Sequence, residues 1–133
     1  QDVRASIEPR QEAAVDLTAL WHERFGKPLR LVSGSMAFAG SMPFYSPDRP
    51  SHFISMKFSH APWVTRERVS REGLLIVCSD DDATCRARAE QARTPTTEIV
   101  ERTYQRRVGG RDAPGTKLIV YLLPPARVYA VRG

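Results

Sequence analysis

The sequence predicts a three-layer α/β domain: a mostly parallel sheet of about five strands, helices on both faces, and an antiparallel C-terminal hairpin. Three observations carry this reading. Helical and extended patterns alternate along most of the 133 residues, as in chains of right-handed βαβ crossovers. Leu74-Leu75-Ile76-Val77-Cys78 is apolar without a break, as a central strand covered on both faces must be. The last two extended patterns are joined by one short loop, which makes them antiparallel neighbours.

Residues 1–10 read as an extended lead-in or linker, 11–125 as one domain, and 126–133 as a tail. From Gln11 to Phe25 the pattern is helical: Ala14, Leu17, Ala19 or Leu20, Trp21 and Phe25 share a stripe, with Glu, Asp and Arg opposite. Gly26 stands at the C-cap and Pro28 prevents continuation. Leu29–Val32 is a short buried strand that Gly34 ends. Ser35–Tyr45 forms a short helix, capped by Ser33 or Ser35 and broken by Pro43. Ser46–Pro50 is a turn cluster, and His52–Phe58 alternates as a second strand. Residues 59–63 form a loop, and Thr65 caps a helix over Arg66–Arg71 that Gly73 closes. The central strand follows. Ser79 or Asp80 then begins a helix to about Ala92, with Asp81 and Asp82 in its first turn, where the helix dipole favours anions. Thr96–Val108 and Lys117–Leu123 are the final strands, with 109–115 as the loop between them. No internal repeat is visible.

The composition is that of an ordinary globular domain, 41% hydrophobic and 26% charged. No apolar run approaches the about 18–20 residues of a membrane span. The opening QDVRASIEPRQE is polar and charged, without a signal-peptide pattern, and the missing initiator Met reads as a mature form or an excised piece. The net charge of +5 favours anionic partners. The arginines are scattered, however, with no basic block interleaved with aromatics. Nucleic acid is therefore not an expected partner, and most of this charge reads as solvated surface.

Cys78 and Cys85 are either two buried thiols or one disulfide. A strand end followed by a helix start brings positions seven apart within bridging distance, which favours the disulfide and an oxidising compartment. The pair lacks CxxC spacing and nearby histidines, so neither thioredoxin chemistry nor a zinc site is expected.

The segment VSGSMA at Val32–Ala37 places a serine after a strand and a glycine, as nucleophile elbows do. An elbow requires G-x-S-x-G, and Met36 and Phe38 are bulky. The phosphate-loop and dinucleotide glycine patterns are also missing, so no cofactor is expected. Asp80-Asp81-Asp82 lacks the alternating spacing of a calcium loop and reads as helix capping; the three histidines have no metal spacing, so no metal is expected either. Ligands of open α/β sheets bind beyond the carboxyl ends of the strands. Candidate ligand-binding residues there are Gly34, Ser35, Tyr45, Ser46, His60 and Trp63; in the loop, a histidine–tryptophan pair suits stacking on a sugar.

The segments WHERFGKPLRLVSGSMAFAGSMPFYSPDRPSHFI, PWVTRERVSREGLLIVCSDDDATC and KLIVYLLPPA, spanning Trp21 to about Pro125, resemble the soluble C-terminal region of bacterial membrane glycosyltransferases. The class is that of the dolichyl-phosphate-mannose protein mannosyltransferases, glycosyltransferase family 39. The resemblance implies a periplasmic domain tethered to the inner membrane by the membrane-embedded part of the same polypeptide. It implies a polyprenyl-phosphate sugar donor for the whole enzyme and an envelope glycan or lipid-linked sugar as partner. The catalytic acid of the class lies between membrane spans, outside this chain, so no catalytic residue is expected here. The implied role is recognition or positioning of the acceptor, with basic charge lying against anionic head groups. The alternatives are a stand-alone serine hydrolase using Ser35, or a purely structural or assembly domain.

Overall fold

The structure is a computed structural model that describes residues 9–58, 64–108 and 111–126. The chain runs α1 (Pro9–Phe25), β1 (Leu31–Gly34), α2 (Met36–Ala39), α3 (Met42–Tyr45), β2 (Ser51–His52), a 3-10 turn (Ile54–Met56), α4 (Arg66–Glu72), β3 (Leu74–Ser79), α5 (Ala83–Ala92), β4 (Glu98–Val108) and β5 (Arg111–Leu123). The five strands form one mixed sheet in the order β2-β1-β3-β5-β4. β1 pairs in parallel with β2 and β3, whereas β5 is antiparallel to both β3 and β4. Four strands thus share one direction and β5 opposes them.

Alternation along β3 builds two cores. Leu75 and Val77 face a cluster with Ala14, Leu17 and Trp21 of α1, Phe38 of α2 and Met42 of α3. Leu74, Ile76 and Cys78 face the other side, with Cys85 and Ala89 of α5 and Val69 of α4. Each face of the continuous apolar run therefore has its own helical cover, which is the expected three-layer arrangement. α1 ends as its sequence requires: Gly26 takes φ +61, its N–H bonds the His22 carbonyl at 2.8 Å, and Pro28 follows.

Besides shifts of two residues at β1 and at the start of β4, four differences from the sequence reading have a physical reason. α1 begins at Pro9, which fits a first helical turn because proline lacks the N–H that would be unpaired there. The helix expected over 35–45 is two short helices. A continuous helix would lose the bond from position 43, so the chain breaks at Gly40-Ser41 and Pro43 falls in the first turn of α3. The strand expected over 52–58 stops after His52. Phe53 still donates to the Val32 carbonyl at 2.6 Å and Ser33 Oγ donates to the Phe53 carbonyl, but β1 turns away at Gly34. With no partner backbone left, the chain coils through Ser55 and Met56 at positive φ. Finally, β5 begins at Arg111, which pairs with Val108, so 111–115 belong to the strand rather than the expected loop.

Candidate functional site

The carboxyl ends of β1 and β3 lie side by side. After β1 the chain enters α2 on one face; after β3 it enters α5 on the other. This is the topological switch point, where connections from neighbouring parallel strands leave to opposite faces and open α/β sheets commonly place a ligand. Here the crevice is closed. Gly34 has φ +132, and a Cβ there would lie 2.0 Å from the Val77 carbonyl oxygen. The missing side chain admits the β3 backbone rather than a ligand, and Ser35 N–H bonds the same carbonyl at 2.9 Å.

Ser35 completes the closure. Its Oγ accepts from Ser79 N–H at 2.9 Å and donates to Asp82 Oδ2 at 2.7 Å. Asp82 Oδ1 in turn accepts from Cys85 N–H at 3.1 Å, so Asp82, rather than Ser79 or Asp80, caps α5. The hydrogen bond from Ser35, then that from Cys85 N–H, holds the Asp82 carboxyl below its usual range. The partner of the Ser35 hydroxyl is thus a carboxylate that orients a helix, not the imidazole a serine nucleophile requires.

Tyr45 and Ser46 stand at the end of α3, in a separate hydrogen-bond set. Ser46 is 2% exposed, with its Oγ 2.6 Å from Thr18 Oγ1. Thr18 has a single O–H, which goes to the Ala14 carbonyl at 2.7 Å. Ser46 must therefore donate to Thr18, while it accepts from Asp48 N–H at 3.2 Å. Its hydrogen-bonding capacity is used within the fold. Tyr45 is partly exposed at 37%. His60 and Trp63 lie outside the described residues.

His52 adds a polar atom to the first face. Its Nε2 is buried without a hydrogen-bond partner among the described residues, and desolvation lowers its pKa. No group of three or more metal-binding side chains occurs among the described residues.

A hollow of about 1420 Å³ lies on the other face, between α4 and α5. It extends from Phe53, beyond β2, to Leu74 and Leu123, which pair where β3 begins and β5 ends. Its apolar floor includes Phe53, Met56, Phe58, Val69 and Leu74. Ser55, Ser70, Gln91, Thr94 and Thr96 supply neutral polar groups. Five cationic residues line it, Arg24, Lys27, Lys57, Arg66 and Arg88, and no Asp, Glu, His or Cys does so among the described residues. Arg24 is neutralised by Glu98, with N–O distances of 2.8 and 3.1 Å. Arg66 stacks over the Phe58 ring at 4.6 Å.

Cys78 and Cys85 form a disulfide that joins the end of β3 to the first turn of α5, with Cα atoms 5.7 Å apart. It fixes the root of one groove wall. The sequence had no local signal for the groove itself. Its cations come from α1, the turn after it, the approach to α4, α4 and α5, and only folding gathers them. Phe58, which lines the groove, and Val64, which is buried, stand on either side of positions 59–63, which lie outside the described residues.

Comparison with protein-family models, curated proteins and solved structures returns no match to this chain.

Proposed function

We propose that this chain is a periplasmic accessory domain of a polyprenyl-phosphate-sugar-dependent membrane glycosyltransferase, of the dolichyl-phosphate-mannose protein mannosyltransferase type. Its role is to recognise or position the acceptor glycan. The observation that carries the recognition role is the groove between α4 and α5. It combines an apolar floor, to which the half-buried Phe58 contributes, with hydroxyl and amide groups suited to sugar hydroxyls. The groove's described lining has no carboxylate, imidazole or thiol to serve as general base or nucleophile, which favours binding over turnover. The Cys78–Cys85 disulfide supports an oxidising compartment such as the periplasm. Attachment to a membrane enzyme rests on the resemblance of the segments between Trp21 and Pro125.

Titration of the isotope-labelled chain with envelope oligosaccharides tests this reading by NMR. Amide shifts are expected at Phe58, Ser70 and Gln91, with none at Ser35 or Ser46. Saturating saccharide without shifts along the groove would leave the structural or assembly role in its place. The hydrolase alternative is tested by a fluorophosphonate probe. With its hydroxyl bonded to Asp82, Ser35 is expected to stay unlabelled.

A further inference from the structure

The groove's charge goes further than saccharide recognition. Four of its cations, Lys27, Lys57, Arg66 and Arg88, form no salt bridge among the described residues. They belong to four separate segments that converge on one hollow. Other described arginines do meet carboxylates: Arg24, which also lines the groove, with Glu98, Arg68 with Glu72, Arg71 with Glu67 and Glu72, Arg93 with Glu90. Arg102 stands near Asp16, and Lys117 meets Glu101. What sets the groove apart is that its described lining gathers cations and contains no acidic residue.

Such an imbalance concentrates positive potential above an apolar, low-dielectric floor, where field lines focus. Stacking on Phe58 also prepares Arg66 for an anion, because a stacked guanidinium keeps its in-plane N–H donors available. A neutral saccharide would leave these cations without partners. Resting on the reading of the groove as a glycan site, we propose that its ligand is an anionic saccharide, carrying carboxylate or phosphate groups that Lys57, Arg66 and Arg88 receive. The half-buried Met56 and Phe58 then form the apolar floor beneath the sugar.

Isothermal titration of the intact chain with tetragalacturonate, a phosphorylated mannose oligosaccharide and neutral maltotetraose separates the possibilities. Both anionic ligands are expected to bind at least about tenfold more tightly than maltotetraose, the scale of one charge-assisted contact. That preference should shrink as sodium chloride rises from about 50 to 500 mM, where screening becomes strong. Arg66→Gln with Arg88→Gln should abolish the preference and leave the weak maltotetraose affinity unchanged. Lys57→Gln, at an exposed position, reads the same effect if the double variant does not fold. If only one of the anionic ligands is preferred, that anion is the one the groove takes. Equal affinity for neutral and anionic saccharides would overturn the anionic ligand and leave the glycan site standing. Binding to anionic phospholipid vesicles with no response to any saccharide would overturn both.

Discussion

At the carboxyl ends of β1 and β3, Ser35, Ser79 and Asp82 commit their hydrogen bonds to one another; between α4 and α5, five cations, four of them outside any salt bridge among the described residues, line a hollow with no carboxylate in its described lining. The first region has the topology of a ligand site and the chemistry of a joint. The second has no recognised motif and the chemistry of a site. The difference lies in what the glycine admits. In dinucleotide-binding folds a glycine at the first strand end lets a ligand approach the backbone. Gly34 admits the Val77 carbonyl instead, so the same device welds two strands together.

The joint should be the less forgiving region. Gly34→Ala has the largest expected effect, because the added Cβ would lie 2.0 Å from a backbone oxygen that cannot rotate away, at a φ of +132. A loss of about 3 kcal/mol or more in urea unfolding, or failure to fold, is expected. A stable Gly34→Ala variant would mean that β1 and β3 can separate there, and the crevice would again be a candidate site. Removal of the disulfide by Cys78→Ala with Cys85→Ala comes next. The short closed loop predicts a loss of about 2–3 kcal/mol, and amide exchange should rise first in α5, whose first turn it anchors.

Ser35→Ala removes the acceptor for Ser79 N–H and the donor to Asp82, for an expected loss of about 1–2 kcal/mol. It also changes the response to acid. In the folded state the Asp82 pKa is lowered from its ordinary 3.8, chiefly by Ser35. The stability this confers is fully present above 3.8 and is lost as pH falls through the lower folded value. The variant should therefore lose less stability than the parent on acidification from neutral pH to below 3.8, as measured by urea midpoints. An identical acid response in the two proteins would remove Ser35 from the account of Asp82.

The alternation of elements, the buried central strand, the caps at Gly26 and Thr65, and the cysteine pairing were legible because each depends on local residues or on period. Thr65 accepts from Arg68 N–H at 3.0 Å, as its place before the helix implied. The short β2 was not legible, since its length is set by how soon β1 turns away, a fact about another segment. Nor was the partner of Ser35: the strand–glycine–serine pattern is local, but Asp82 stands 47 positions further on. The groove was least legible of all. Arg66 and Arg88 read as scattered surface charge, and only the packing of α4 and α5 against one sheet face gives them a shared hollow.

The smallest expected effect on stability belongs to the groove, and its smallness is the point. Lys57 and Arg66 are exposed and have no carboxylate partner among the described residues, so Lys57→Gln and Arg66→Gln should each shift the unfolding free energy by no more than about 0.5 kcal/mol. Arg66→Gln loses its stack on Phe58 and should stand at the upper end of that range. Unpaired like charges that line one hollow repel one another, so Lys57→Gln is expected to be neutral or slightly stabilising, more so at low salt. Positions that cost the fold nothing to lose, yet are cationic together, are what a binding surface requires. If Lys57→Gln instead destabilised the protein as much as Ser35→Ala, the cations would be part of the joint-like framework, and the contrast between the two regions would fail.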